Sequence, residues 1–480
     1  MKRGILGLAF ACLFLLATTA SAEIEMPSLF SDGMVLQRDT AVPVWGGADA
    51  DDEVTVTFAG QTKSTTAGKD GKWMVKLDPL KVARKGTAMV ITADDGDQKV
   101  TIDDVLVGEV WICSGQSNME WPVAACNAAD DIAAAKHSII RTIKVPHTPS
   151  ATPLTDFNGE WTACSPETVS RFTAVGYFFG LKLHQELQGM PIGLVNSSWG
   201  GTRVEPWTPP CGFAAVEELK EMATQKFDAR NHQNPTVLYK GMINPLIPFA
   251  IRGAIWYQGE SNGSEGVTYY QKKQALIGGW RQLWKQGNFP FYFVQLANFR
   301  TSGDDPKMGD GWARLREAQV DTLKVDNTGM ACIIDIGEAN DIHPKNKQDV
   351  GARLALWALA KDYGKDVVYS GPLYKDMKIE GSKIRISFDH VGSGLMVGKK
   401  DGKKPTAEAK GSELKWFSVA DAEQNWHWAK AVIDGDTVVV SCDKVEKPVA
   451  VRYAFTMNPE GCNLYNKEGL PASPFRTDEW

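Results

Sequence analysis

Cys-x-x-Cys pairs are absent from this sequence, and no two histidines stand at metal-ligand spacing. Those absences exclude a zinc ribbon, a thioredoxin-type redox motif and the usual histidine metal site. A basic excess is missing too. Lys and Arg number 52 against 58 Asp and Glu, for a net charge of −6. Such a chain lacks the cationic footprint of a nucleic-acid-binding protein. Beyond residue 22 no stretch approaches the roughly 18 consecutive apolar residues of a bilayer-spanning helix. No internal repeat of fixed period is found. The hydrophobic share of 43% and the charged share of 23% are those of a globular rather than a disordered chain.

What is present begins with a targeting pattern. Lys2 and Arg3 precede an apolar run over residues 5–17, and Ala20-Ser21-Ala22 forms a small-residue cleavage signal. The expected mature chain starts at Glu23, is exported to a periplasmic or extracellular space, and has no membrane span. Seven cysteines follow that point: Cys113, Cys126, Cys164, Cys211, Cys332, Cys442 and Cys462. The odd number leaves at least one unpaired, while an exported compartment permits bridges. Cys126 with Cys164 and Cys442 with Cys462 are pairing candidates; the connectivity stays open.

A length of 480 residues, at about 150 per domain, predicts about three domains. Residues 23–105 alternate polar and apolar over 41–45, 53–58, 73–77 and 87–92, with turn clusters between them, which reads as a β domain. From 106 to 365 the pattern becomes strand–helix–strand. Apolar runs at 105–113, 191–195, 250–257, 291–296 and 330–336 alternate with helical periodicity at 174–187, 268–285, 312–323 and 349–361. That alternation predicts a mostly parallel sheet. Residues 206–244 form an insertion with one expected short helix near 214–226. From 366 to 480 the strand period returns, clearest at 383–388, 437–442 and 450–455.

Ligands of open parallel sheets collect beyond the carboxyl ends of the strands. Four clusters fall there: Gly115-Gln116-Ser117-Asn118-Met119, Ser198-Trp199-Gly200-Gly201-Thr202-Arg203, Gln258-Gly259-Glu260-Ser261-Asn262 and Asn340-Asp341-Ile342-His343-Pro344. Together they hold what acyl transfer needs. A serine hydroxyl requires a base, usually an imidazole oriented by a carboxylate. A tetrahedral oxyanion requires fixed N–H donors. Ser117 is thus the candidate nucleophile and His343 the candidate base. Pro344 biases His343 toward extended backbone, so Asp341, two residues back, points to the same side. Asp335, Glu338 and Glu260 are rival orienters. Oxyanion donors are the N–H groups of Ser117 and Gly200, joined by a side-chain amide from Gln258 or Asn262. Arg203 and Glu205 read either as a structural ion pair or as substrate contacts. Trp199, Trp207 and Trp256 read as core or as sugar platforms. No metal site is expected.

These blocks, together with Tyr239-Lys240-Gly241-Met242-Ile243-Asn244-Pro245-Leu246, resemble the SGNH hydrolase superfamily and, within it, the sialate O-acetylesterase branch. The resemblance covers about 108–361. It implies an α/β fold: a flavodoxin-like three-layer α/β/α core with flanking N-terminal and C-terminal β-sandwich-like domains. It further implies removal of acetyl groups from sugar hydroxyls without a cofactor, through an acetyl-serine intermediate. Ser117 carries over as nucleophile, His343 as base and Gly200 as the oxyanion glycine. Gln258 stands nearest to the superfamily's third-block Asn. The superfamily places Asp three residues before His; here the gap is two, which leaves a Ser–His dyad as the alternative to a triad with Asp341. O-Acetylated sialic acid is the expected substrate, with Arg203, Asn262 and Glu260 as candidate contacts and Arg203 paired to its carboxylate. Acetylated xylan is the alternative substrate, and a non-catalytic carbohydrate-binding protein the alternative from another class.

Overall fold

The computed structural model describes residues 23–93 and 96–480, so the targeting segment lies outside the described residues. One strand organises the rest. β1 (Gln98–Gly115) alternates in burial over its first residues and is continuously buried from Val105 onward. The change in pattern marks a change in surroundings. The first half pairs antiparallel with the strand Ala83–Ala93 and has one wet face. The second half runs between two parallel neighbours with both faces covered, where apolar runs lose their alternation. The composition shift near residue 105 therefore falls within a single strand.

Five further strands complete the parallel region: β2 (Ile140–Lys144), β3 (Ile192–Ser198), β4 (Gly253–Tyr257), β5 (Phe291–Val294) and β6 (Thr328–Ala331). Their spatial order is β6-β5-β4-β1-β3-β2, within an eleven-stranded mixed sheet that also takes in N-terminal strands. β1 is thus central, with β3 and β4 on its flanks. β2 was not expected, because its sequence carries Arg141 at its second position. That arginine is only 4% exposed. Its guanidinium donates to the carbonyls of Gly33 and Asp104 and to the Asp104 carboxylate, at 2.7, 2.6 and 2.8 Å. Those bonds make a charge tolerable inside a sheet.

The helices cover both faces. α1 (Ser117–Glu120) is a single turn on the end of β1. α2 (Ala174–Glu186) starts at Thr173, whose hydroxyl accepts from the Gly176 N–H. α3 (Val267–Trp284), α4 (Gly311–Asp321) and α5 (Lys347–Lys361) follow. Trp111 of β1 packs edge-on to Phe179 of α2, at 4.9 Å between ring centroids. Trp256 points to the opposite face and meets Trp280 of α3 at 6.1 Å. α2 and α5 approach at Gly351, where a Cβ would lie 2.6 Å from the Phe179 amide nitrogen.

Two expectations are corrected. The insertion holds two short α-helices, Pro210–Ala214 and Lys220–Thr224, and a π-helical turn, Tyr239–Ile243, rather than one helix. The break falls where Leu219, in a 3₁₀ turn, is buried against Phe213 and Ala275. The candidate disulfides are not formed: all seven described cysteines are free. Cys126 and Cys164 sit in separate niches, their thiols directed at the carbonyls of Pro122 and Ala135.

The C-terminal strands build antiparallel sheets around a second apolar cluster that also takes in Cys332 and Ile334. Arg316 of α4 ties the two regions together. Fully buried, it donates to the carbonyls of Leu296 and Ala297 on one side and of Thr456 and Met457 on the other, at 2.6–2.9 Å. Burial lowers its pKa to about 10. Arg316→Met leaves the Leu296 and Thr456 carbonyls without that donor, while Ala297 keeps the Trp312 indole N–H and Met457 the Phe299 N–H. We expect a loss of about 3 kcal/mol or more, read as a lower midpoint in urea unfolding. An unchanged midpoint would remove Arg316 from the account of how the regions are joined.

Candidate active site

The end of β1 is shaped by one close approach. Gly115 has φ +134°, and any Cβ there would collide with the Tyr257 carbonyl of the neighbouring strand. The Gln116 N–H donates to that same carbonyl at 3.0 Å. The Gln116 side-chain oxygen accepts from the Gly259 and Ser261 N–H groups, at 3.4 and 3.2 Å. The turns after β1 and β4 are thereby locked together. Ser117 opens α1 half-buried, while Gln116 and Asn118 on either side are buried.

His343 arrives from the loop between β6 and α5. Its Nε2 lies 2.9 Å from the Ser117 Oγ. The imidazole stacks on Trp121, with centroids 4.3 Å apart and planes within 11°. Asp341 Oδ1 stands 3.5 Å from Nδ1, longer than a good hydrogen bond. The same oxygen accepts the His343 main-chain N–H at 2.8 Å, and Oδ2 accepts from Lys345 at 2.7 Å. The Lys345 hydrogen bond and the His343 N–H hold the Asp341 carboxyl below its usual value. The rival carboxylates are occupied: Asp335 by Arg353 at 2.6 Å, Glu338 by the Lys345 N–H at 2.7 Å, and Glu260 by Asn118 at 2.5 Å. Burial pulls the His343 pKa below that of a free imidazole; Lys347 and Lys345 act in the same direction and Asp341 opposes them. Its neutral form, the one that accepts a proton, thus prevails near neutral pH.

Gly200 lies over the serine; a Cβ at that position would come 3.3 Å from the Ser117 Cβ. Its N–H donates to Glu120 Oε2 at 2.9 Å. The other Glu120 oxygen is 2.8 Å from His147 Nε2 and 3.2 Å from Lys144 Nζ. A carboxylate therefore already sits where an oxyanion bound to Gly200 would lie. Beside it, Trp199 is sandwiched between His147 and His232, with centroids 4.4 and 4.6 Å away and planes within 2° and 10°. Both faces of that indole are covered. Trp207 and Trp256 are 0% and 1% exposed and belong to the core.

Ser117, His343, Asp341 and Gly200 come together. Gln258, Asn262 and Arg203 form a separate network that braces the 199–205 segment. The Gln258 amide donates to the Thr202 carbonyl and to Asn262 Oδ1, at 3.1 and 2.7 Å, and is wholly buried. Asn262 donates to Glu205 at 3.1 Å. Arg203 is paired with Glu205 and Glu265, as is Lys272. Glu260 is half-buried and faces Asn118. Sequence reasoning missed Glu120, Trp121 and His147. Only Glu120 carried a signal, lying one helical turn beyond Ser117. Among the described residues no cluster of metal-ligating side chains occurs, and no helix is long and apolar enough to cross a membrane.

Comparison with known proteins adds a family. The model described as "Carbohydrate esterase, sialic acid-specific acetylesterase" matches residues 107–359. The sialate O-acetylesterase of Homo sapiens is 31% identical over 513 residues, covering 98% of this chain and 96% of that protein. That of Pongo abelii is 30% identical over 514 residues, with the same coverage. Among solved structures, a carbohydrate acetylesterase from Xanthomonas citri superposes with a TM-score of 0.85 at 41% identity, covering 95% of this chain and 100% of that one.

The lowered His343 pKa sets a direction for pH dependence. Labelling of Ser117 by a fluorophosphonate should fall on acidification with a midpoint below the ~6.5 of a free imidazole, and His343→Ala should abolish it. A midpoint above that value would contradict the burial argument.

Proposed function

This chain belongs to the sialic acid-specific acetylesterase family of carbohydrate esterases and is a carboxylic ester hydrolase; from that premise we propose that Ser117 and His343 remove O-acetyl groups from sugars through an acetyl-serine intermediate. The observation that carries the reading is the 2.9 Å contact between His343 Nε2 and Ser117 Oγ. Ser117 Oγ attacks the acetyl carbonyl carbon while Nε2 takes the hydroxyl proton. The tetrahedral oxyanion is received by the N–H groups of Ser117 and Gly200. Collapse expels the sugar oxygen, which takes the proton from His343. His343 then deprotonates water, which attacks the acetyl-serine; the bond from the acyl carbon to Oγ breaks, acetate leaves, and Ser117 Oγ takes the proton back from His343. In this reading Asp341 orients the imidazole chiefly by holding the His343 main chain, so the site works close to a Ser–His dyad. Gln258 acts indirectly, by fixing the Thr202 carbonyl and with it the 200–202 turn. Glu120 moves off the Gly200 N–H as the oxyanion forms.

The expected substrate is an O-acetylated sialic acid. One observation favours acetylated xylan as a second reading: Arg203, the cation expected to meet the sialic acid carboxylate, is already paired with Glu205 and Glu265. We also read residues 106–365 as an SGNH hydrolase core of three layers, flanked by β domains at 23–105 and 366–480. The parallel strand order and the helices on both faces support that division. The pattern at 1–22 supports export.

Ser117→Ala and His343→Ala should each lower kcat on a chromogenic acetate ester by about 1,000-fold or more. Asp341→Asn should cost only about tenfold, because the ring contact is long. Full activity in Ser117→Ala would refute the mechanism. Acetate released from acetylated sialic acid, set against that from acetylxylan, decides the substrate. Glu120→Gln removes a negative charge from the oxyanion position and should raise kcat/KM on the small ester about threefold; a fall would show that the carboxylate helps the transition state.

A further inference from the structure

Three chemically loaded side chains meet between the serine turn and the histidine loop without touching the Ser117 hydroxyl. Asn118 is 1% exposed and Lys347, the first residue of α5, is 0% exposed. Glu260, in the turn after β4, is half-buried, but its Oε2 is buried without a hydrogen-bond partner. The Asn118 amide nitrogen donates to Glu260 Oε1 at 2.5 Å and to the Ile342 carbonyl at 3.0 Å. Its oxygen accepts from Lys347 Nζ. The ammonium also lies over the Tyr257 ring, 5.3 Å from the centroid.

The chemistry of these partners is one-sided. An ammonium only donates, and a main-chain carbonyl and a carboxylate oxygen only accept. With Lys347 at the oxygen end, the amide has a single satisfactory orientation, and its N–H groups must face Glu260 and Ile342. The Ile342 carbonyl is one residue from His343. Burying a lysine is costly, and burial has brought its pKa down to about 8. An apolar side chain of that length would fill the same space without that cost.

We propose that Lys347 is a positioning residue for His343: by fixing the Asn118 amide, it holds the Ile342 carbonyl and with it the imidazole at proton-transfer distance from Ser117. The inference rests on the Ser117–His343 reading of the site. Lys347 also acts electrostatically. The groups facing the imidazole are the Ser117 hydroxyl, the Trp121 ring, Asp341, Lys345 and Lys347. Asp341 favours the protonated ring, and the two lysines oppose it.

The test uses the full chain. Lys347→Met keeps the length and removes the donor and the charge. Its kcat on a chromogenic acetate ester should fall about a hundredfold with KM unchanged, as expected when a catalytic group is misplaced by an ångström. The acidic limb of its kcat/KM profile should move to higher pH, because a cation near His343 is gone. Rates are normalised to sites titrated by fluorophosphonate, so loss of folded protein does not count. An unchanged kcat and pH limb would reduce Lys347 to a space-filling residue and overturn the proposal. If Lys347→Met does not fold, Lys347→Met with Glu260→Gln removes both charges. A low kcat with a raised limb in that double variant supports positioning. Recovery of parental kcat and limb shows that Lys347 only balances Glu260 and overturns the proposal. Ser117→Ala, measured alongside, separates this outcome from failure of the underlying mechanism: if it stays active, the Ser117–His343 reading falls by itself.

Discussion

The backbone of Gly115 lies against the Tyr257 carbonyl with no room for a side chain, and the Gln116 N–H donates to that same oxygen. Two adjacent parallel strands therefore end in one clamp. The Gln116 side chain extends the clamp to the turn after β4. Ser117, the next residue, is delivered at a fixed height above the sheet by hydrogen bonds that do not involve its hydroxyl. The hydroxyl is left free for His343. Rigidity here comes from main-chain geometry, which no side-chain motion can relax. A serine hydroxyl and an imidazole held 2.9 Å apart, as the proposed mechanism requires, benefit from that kind of support.

His343 is held differently. Its ring stacks on Trp121, its main chain is fastened to Asp341, and the carbonyl before it is fastened to Asn118. The charges around it are arranged so that the neutral ring wins: burial and two lysines outweigh one aspartate that is itself engaged by Lys345. The same economy appears at Gly200, beside Ser117, whose N–H is taken up by the Glu120 carboxylate. Carboxylate oxygen and oxyanion make similar demands on a donor, so in the proposed mechanism the Glu120 carboxylate must leave that N–H before an oxyanion takes it.

Much of the architecture was legible because burial leaves a period in the chain. The helix expected at 174–187 is Ala174–Glu186, and that expected at 268–285 is Val267–Trp284. Ser117 and His343 stood out because small and polar residues follow apolar strands there. β2 was hidden because Arg141 breaks an apolar run, and its compensation by Gly33 and Asp104 is a tertiary fact. Gln258, Asn262 and Arg203 were placed at the right edge but not in the right direction. A strand's end is visible in sequence; whether the amide that follows turns toward a serine or toward Thr202 depends on neighbours far along the chain.

Local pattern by itself determined the alternation of strands and helices, the block of residues at each strand end, and the residue types available for chemistry. It did so because backbone periodicity and turn chemistry act over a few residues. Only the tertiary structure decided which of those residues meet. Glu120 reaches Gly200 across 80 positions, Asn118 reaches Glu260 across 142, and Lys347 reaches Asn118 across 229. Such contacts depend on how the strands order themselves around β1, and hydrogen-bond donors and acceptors that far apart leave no local mark of their pairing.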